Sequence, residues 1–319
     1  MSNYRNIKTA VIGVGSMGQN HARILSEISN LSYVFDFDHK QASLIGEKYS
    51  TNYYSNLDEI DESVDAVIIS VPTEFHKTYV DYFSNQNSHI LVEKPISKNV
   101  DEASHIVNLG HDSNITIAVG HIERFNPAIV EAKKLLDSGI WGEIITMSSK
   151  RVSNYPDRIR DVGVIADLGI HDIDLMRYIS GSECSEIFSI SGRTENPNFE
   201  DHASIIMRFD NEVKGIIEVN WLSPIKIRNL CLTCTDAYVE IDLIKQEIQQ
   251  TMLISNNVKK ENLYLSSQNV KTITIQVEKE EPLRLELLDF LGSIENNISP
   301  KVTAEEGKKS LELAIKALN

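Results

Sequence analysis

From Thr9 to about Val119 short apolar runs, TAVIG, LSYVF, DAVIISV, SHILVE and ITIAV, alternate with stretches whose apolar positions recur at helical spacing. Runs as unbroken as AVIIS predict strands buried on both faces, as in a parallel sheet covered by helices. The alternation of the two periods predicts a βαβ series, and so a doubly wound sheet. After Gly120 the pattern changes. A helical stretch near Ala128 to Leu136 precedes longer runs with partial alternation: EIITMSSKRV, HASIIMRF, KGIIEVNWL, IRNLCLTC, AYVEIDL and VKTITIQV. These predict a mostly antiparallel, open-faced sheet. Between its first strands ADLGIHDIDLMRYIS reads as a helix that Gly181 ends, supplying the left-handed residue of a helix terminus. Two helices close the chain. One starts near Pro282, a residue suited to a first turn; the other follows Thr303, which with Glu306 matches a capping box.

At 319 residues the chain exceeds the usual size of one core, so two domains are expected. Against 31 Lys and Arg stand 46 Asp and Glu, a formal charge of -15 that would repel a phosphodiester backbone, so nucleic acid is not expected as a partner. The start, MSNYRNIKTAVIG, lacks a signal-peptide apolar stretch, and no run approaches the ~20 apolar residues that span a bilayer. A cytoplasmic protein without membrane contact is expected. The three cysteines, Cys184, Cys231 and Cys234, suit reduced thiols. Cys231 and Cys234 form a C-x-x-C, but on a strand positions three apart face opposite ways, and no second pair follows at zinc spacing. No catalytic metal is expected.

GVGSMG, Gly13 to Gly18, follows the TAVI strand and opens the helical stretch SMGQNHARILSEI. In that context Gly13 permits the tight turn, Gly15 lets backbone approach a pyrophosphate and Gly18 allows close helix packing, with the helix N-terminus attracting the anion. Residues 1–120 therefore read as a dinucleotide-binding Rossmann domain, and 121–319 as a second α/β domain for substrate and oligomer contacts. Roughly 20 residues after the glycines the second strand ends at Asp36, whose carboxylate suits ribose hydroxyls and repels a 2′-phosphate, favouring NAD over NADP. Asp38 is close enough to compete for that role. The fifth strand runs into Glu93-Lys94-Pro95, placing a lysine at the carboxyl end of a parallel strand, the edge where such sheets bind ligands. Asp167 and His171 are four apart and share a helix face. An imidazole titrating near neutrality suits His171 to take a hydroxyl proton, with Asp167 orienting substrate or ring. His121, without a partner at ligand spacing, reads as a positioning residue at the domain junction.

Together GVGSMG with His21, VFDFD, VPTEFH, ILVEKP, GHIERFNP, DLGIHDIDL and TAEEGKKSLELAIKA resemble the glucose–fructose oxidoreductase/inositol dehydrogenase/MocA family over essentially the whole chain. The resemblance implies a Rossmann domain followed by an open-faced sheet through which subunits form dimers or tetramers. It implies catalytic roles for Lys94, Asp167 and His171. It assigns Ser16, Met17, Ser70, Pro72, His76 and Glu93 to the cofactor set beside the glycines, Asp36 and Lys94. A narrower likeness, through GHIERFNP and RIRDVGVIADLGIHDIDL, points to the branch that oxidises C3 of nucleotide-linked amino sugars. It adds Arg124 and Asn126 as substrate contacts and gives physical interest to the cations Lys150, Arg151, Arg158 and Arg160, since arginine forks suit a pyrophosphate. A dehydrogenase of free sugars or inositol-like polyols is the alternative within enzymes. A non-catalytic NAD-binding sensor is the alternative outside them.

Overall fold

β1 (Tyr4–Ile12), α1 (Ser16–Ile28), β2 (Ser29–Phe35), α2 (His39–Tyr49), β3 (Asn52–Tyr54), β4 (Ala66–Ile69), α3 (His76–Ser84), β5 (His89–Glu93), α4 (Val100–Asp112) and β6 (Ile117–Gly120) follow one another as a βαβ series. This computed structural model describes residues 4–155, 162–195, 198–254 and 270–319. The six strands form one parallel sheet ordered β3-β2-β1-β4-β5-β6. Its central strands are the unbroken apolar runs: every residue of β4 is fully buried, because helices cover both faces. The short β3, NYY, had no apolar run to announce it.

The second unit opens with α5 (Pro127–Asp137), capped by Asn126, and β7 (Ile144–Asn154). A π turn over Ile165–Gly169 then runs into α6 (Ile170–Ser180), which ends at Gly181 in the left-handed region. β8 (Cys184–Gly192), β9 (His202–Phe209), β10 (Lys214–Asn220), β11 (Leu222–Cys234), β12 (Tyr238–Asp242), β13 (Glu247–Leu253) and β14 (Val270–Ile275) complete a sheet ordered β14-β13-β12-β11-β7-β10-β9-β8. All its pairings are antiparallel except β7 with β10. Of these strands β8 and β13 were not expected, because their Ser, Glu and Gln positions dilute the apolar signal.

β9 shows why this sheet has one packed face. Ala203, Ile205, Met207 and Phe209 are buried, while Ser204, Ile206 and Arg208 between them are exposed. On the packed side a single apolar core includes Trp141, Ile173, Met207, Phe209 and Leu232. On the open side the register carries one row across the sheet, Phe188 beside Ile206 beside Ile216 beside Ser148 beside Cys231 beside Glu240. The C-x-x-C behaves as its spacing requires: Cys231 lies in that open row, Cys234 is buried, and both are free thiols.

α7 (Pro282–Asn296) and α8 (Ala304–Leu318) close the chain, with Pro282 in the first turn of α7 and the Thr303 Oγ1 accepting from the Glu306 N–H at 3.3 Å. The compact units are residues through Ile122 with Glu281–Glu312, and Glu123–Glu280 with Leu313–Asn319. The return of α7 to the first unit departs from the expected division at 120/121. Its cause is packing, because Leu283, Leu287, Phe290 and Leu291 join the core formed by Val11, Leu25, Val34 and Ile68. Among the described residues no helix is long and apolar enough to cross a membrane.

Candidate active site

In the first unit the chain turns from β1 into α1 at Gly13, whose φ of +86° and N–H bond to the Phe35 carbonyl (2.7 Å) set the turn. A β-carbon there would sit 2.8 Å from the Ser70 carbonyl oxygen, so Ser70, at the carboxyl end of β4, closes one wall. At Gly18 a β-carbon would come 1.9 Å from the Gly13 carbonyl oxygen, so helix and loop meet as closely as backbone allows. Gly15 differs: nothing lies within 4 Å of where its β-carbon would be, and no side chain caps α1 at this N-cap position. The unclaimed first-turn N–H groups around Ser16 and Met17, beside open space, fit the pyrophosphate of a dinucleotide.

Asp36 follows β2 and accepts from the Val14 N–H at 2.9 Å and the Asp38 N–H at 3.0 Å. Asp38 instead caps α2 through the Lys40 N–H (2.9 Å), which leaves Asp36 as the carboxylate against the glycine loop. Pro72 leads into a short turn before α3. His76 is buried, its ring nitrogens 2.9 Å from the Pro95 carbonyl and 3.0 Å from that of Val71, so it braces the loop after β4 to the loop after β5. Burial depresses its pKa and keeps the ring neutral, with one donor for the two carbonyls. His76 thus holds the two loops that flank the cradle.

Glu93, the last residue of β5, accepts from His21 Nε2 at 2.8 Å and from the Lys94 N–H at 3.2 Å. Burial alone would raise its carboxyl, but the His21 hydrogen bond and the charges of His21 and Lys94 hold it below the usual range. Lys94 is half-buried and precedes a cis bond to Pro95. Behind this pair lies a group the sequence did not single out. Glu286 of α7 is buried with no hydrogen bond to either carboxyl oxygen, and burial, then the charges of Glu93 and Asp289, raise its pKa well above the usual range. His121, also buried, follows β6 at the end of the first unit.

In the second unit Glu200 anchors the entry to the π turn, its carbonyl accepting from the Val164 N–H (2.9 Å) and its carboxylate from the Ile165 N–H (3.1 Å). The wider turn holds Asp167 at its middle, and His171 follows just inside α6; Asp167 is buried and His171 half-buried. Single π turns of this kind recur at functional sites.

Several expected substrate contacts have other work. Arg124 grips Asp174 with two bonds, of 2.7 and 2.6 Å, and lies over the Tyr178 ring. Asn126 caps α5 and donates to the Leu243 carbonyl at 2.9 Å. Arg151, 1% exposed, donates to Asp172 at 2.6 Å and to Glu123 at 2.7 Å. All three are buried, and these donors are engaged within the second unit. Lys150 and Arg151 do not share a face: Lys150 points to the open face, where it pairs with Glu218 at 3.0 Å, while Arg151 points into the packed face. Arg158 and Arg160 lie outside the described residues.

Two family profiles match the chain: the oxidoreductase family with NAD-binding Rossmann fold over residues 7–121, and the GFO/IDH/MocA C-terminal domain over residues 129–240. The chain belongs to the GFO/IDH/MocA oxidoreductase family. It is 26% identical to the UDP-N-acetylglucosamine 3-dehydrogenase of Acidithiobacillus ferrooxidans over 289 residues, 91% of this chain and 89% of that one. With the scyllo-inositol 2-dehydrogenase (NAD(+)) of Bacillus subtilis it shares 27% identity over 332 aligned positions, 98% of this chain and 93% of the relative. The solved structure of the A. ferrooxidans enzyme superimposes with a TM-score of 0.88 at 24% identity, covering 98% of this chain and 96% of that one, a likeness of fold.

Within this GFO/IDH/MocA fold β11 carries two further cations, one of which feels the Asp167 charge. Arg228 is paired in register with Arg151, and the charges of Glu123, Asp172 and Asp167 all act on it. Lys226 is two residues earlier. Both were passed over because IKIRNLCLTC reads as strand. The missed signal was parity: Lys226 and Arg228 continue the positions of the buried Leu230 and Leu232, so charge replaces apolar bulk on the packed side.

Proposed function

We propose that this chain uses NAD to oxidise a secondary hydroxyl of a sugar, C3 of UDP-N-acetylglucosamine or a related nucleotide sugar. The observation that carries the reading is the likeness to the A. ferrooxidans enzyme along nine-tenths of the chain, joined to a glycine cradle whose one open position is Gly15. Asp36 favours NAD, because a carboxylate held against the glycine loop would repel a 2′-phosphate. When bound, the dinucleotide supplies the hydride acceptor. His171 takes the hydroxyl proton on its ring nitrogen, and the Lys94 ammonium stabilises the charge growing on that oxygen. Asp167 orients the sugar or the imidazole. Glu93, fixed by His21, sets the backbone from which Lys94 extends. Alignment is the protein's main contribution.

Reduced-nicotinamide absorbance, followed with NAD or NADP against UDP-N-acetylglucosamine, N-acetylglucosamine, glucose and inositol, tests the reading. Turnover with NAD and the nucleotide sugar is expected. Lys94→Ala and His171→Ala are each expected to lower kcat by roughly 10²–10⁴-fold with NAD affinity retained; near-parental turnover would remove them from the chemistry. Turnover of inositol alone would favour the polyol reading, which the B. subtilis relative supports. NAD binding with no turnover of any sugar would favour a sensor.

The open face of the second sheet is proposed to join a second copy of the chain, as a dimer or part of a tetramer. What supports this is the exposed apolar group Phe188, Ile190, Ile206 and Ile216 on its outer strands.

A further inference from the structure

We propose that Arg228, with Lys226, is the anion-binding element of the substrate site and grips the diphosphate of a nucleotide-linked substrate. The proposal deepens the nucleotide-sugar reading and rests on it for the identity of the sugar.

The carboxylates nearby do not satisfy Arg228. Arg151 takes the Asp172 carboxylate through Nε at 2.6 Å and Nη2 at 3.4 Å, and also takes Glu123 Oε1 at 2.7 Å. Among the described residues Arg228 has only a 3.4 Å contact, to that same, already occupied Glu123 oxygen. A guanidinium carries five N–H donors in a planar fork, so most of its hydrogen-bonding capacity faces elsewhere. Its side chain is 36% exposed, enough for a ligand to reach.

Lys226 sharpens the point. Among the described residues it has neither an ion pair nor a hydrogen bond, and its pKa is depressed first by the Arg228 charge, then by burial, then by Arg151. Arg228 is depressed too, by burial and then by Arg151, although three carboxylates act against that. Lys226 and Arg228 are held together against their own repulsion, beside an Arg151 that has taken Glu123 and Asp172, in a chain whose formal charge is -15. An oxyanion relieves that repulsion and fills the empty fork. Because the Asp167 charge acts on Arg228, the anion would be held near Asp167, proposed to orient the sugar or the imidazole.

The closing experiment separates this proposal from the reaction assigned above. Calorimetry with UDP, pyrophosphate and glucuronate needs no turnover. Wild-type protein is expected to bind UDP and pyrophosphate. Arg228→Gln should weaken UDP by roughly 10–100-fold and Lys226→Gln by a smaller factor, with NAD affinity unchanged and Arg228→Lys recovering part of the loss. Lys226 is exposed, so Lys226→Glu should fold, and it should weaken UDP further than Lys226→Gln. In turnover of UDP-N-acetylglucosamine the loss should fall on KM. Unchanged UDP affinity in Arg228→Gln and Lys226→Glu, or glucuronate binding in place of UDP, would overturn the proposal. UDP binding that needs Arg228, without oxidation of any nucleotide sugar, would uphold the subsite and overturn the reaction. Oxidation of UDP-N-acetylglucosamine indifferent to both side chains would do the reverse.

Discussion

Glu286 is the residue whose surroundings conflict most with its ordinary chemistry. A carboxyl without hydrogen bonds, buried and facing the charges of Glu93 and Asp289, is held in its protonated form. The native state therefore keeps a proton that the unfolded chain gives up near the usual glutamate value of about 4.3. With the folded pKa raised, the contribution to stability is full below the unfolded value and is lost as pH rises toward the folded one. Glu286→Gln keeps the shape and never ionises. Its melting temperature should match wild type at the acid end of that window and exceed it increasingly as pH rises. A difference that stays flat with pH would mean that Glu286 is not held protonated. Glu93 behaves oppositely because His21 and Lys94 offset its burial, so two neighbouring carboxyls on β5 and α7 are driven apart in pKa by their partners.

At the scale of elements, Arg151 joins β7 to α6 through Asp172 and to the segment before α5 through Glu123, while Arg124 joins that segment to α6 through Asp174. Replacing only the cation would leave Asp172 buried without its cation and Glu123 with only the longer contacts from Arg228 and Asn126, both 3.4 Å. Arg151→Met is therefore expected to cost about 3–5 kcal/mol in urea unfolding, and Glu123→Gln with Asp172→Asn in the same chain should restore much of it. Equal losses in the single and triple variants would show that packing, not charge, is at stake. These bolts explain what was legible from sequence. Rules acting over a few residues, such as glycines after a strand, a proline opening α7 or Gly181 ending α6, find their elements directly. The pairing of Arg151 with Asp172 or of Arg124 with Asp174 depends on which strand lies under which helix, and spacing does not carry that. For the same reason the roles of Asp172 and Asp174 as the anchors of α6 could not be read from spacing. Arg151, read as a phosphate ligand, is engaged by Asp172 and Glu123, and the return of α7 to the first unit stayed hidden. Arg228 and Lys226 were legible in principle, through charge at core-facing positions of a strand.

At the scale of the whole molecule, the second sheet leaves its open face uncovered by the chain's own helices. Phe188 is 66%, Ile190 82%, Ile206 55% and Ile216 53% exposed, and three of them adjoin in one row across β8, β9 and β10. Scattered apolar residues are ordinary on a surface, whereas a contiguous group on outer strands invites association. A copy of the same face is the partner that the charges allow. On that side Lys150 pairs with Glu218, and Arg208 with Glu212 and Glu186, so most of the charge there is offset and two copies meet with far less repulsion than the -15 each carries would imply. A two-fold contact between such faces would also protect the edge of β8. Sedimentation velocity should find wild type as a dimer or larger. Phe188→Asp with Ile206→Asp, exposed positions outside the packed core, should yield a monomer that keeps its circular dichroism and its affinity for NAD, since no residue of the glycine cradle is altered. A double variant that remains assembled would move the contact elsewhere. Loss of turnover on dissociation, with NAD affinity intact, would show that assembly matters to the chemistry and not merely to solubility.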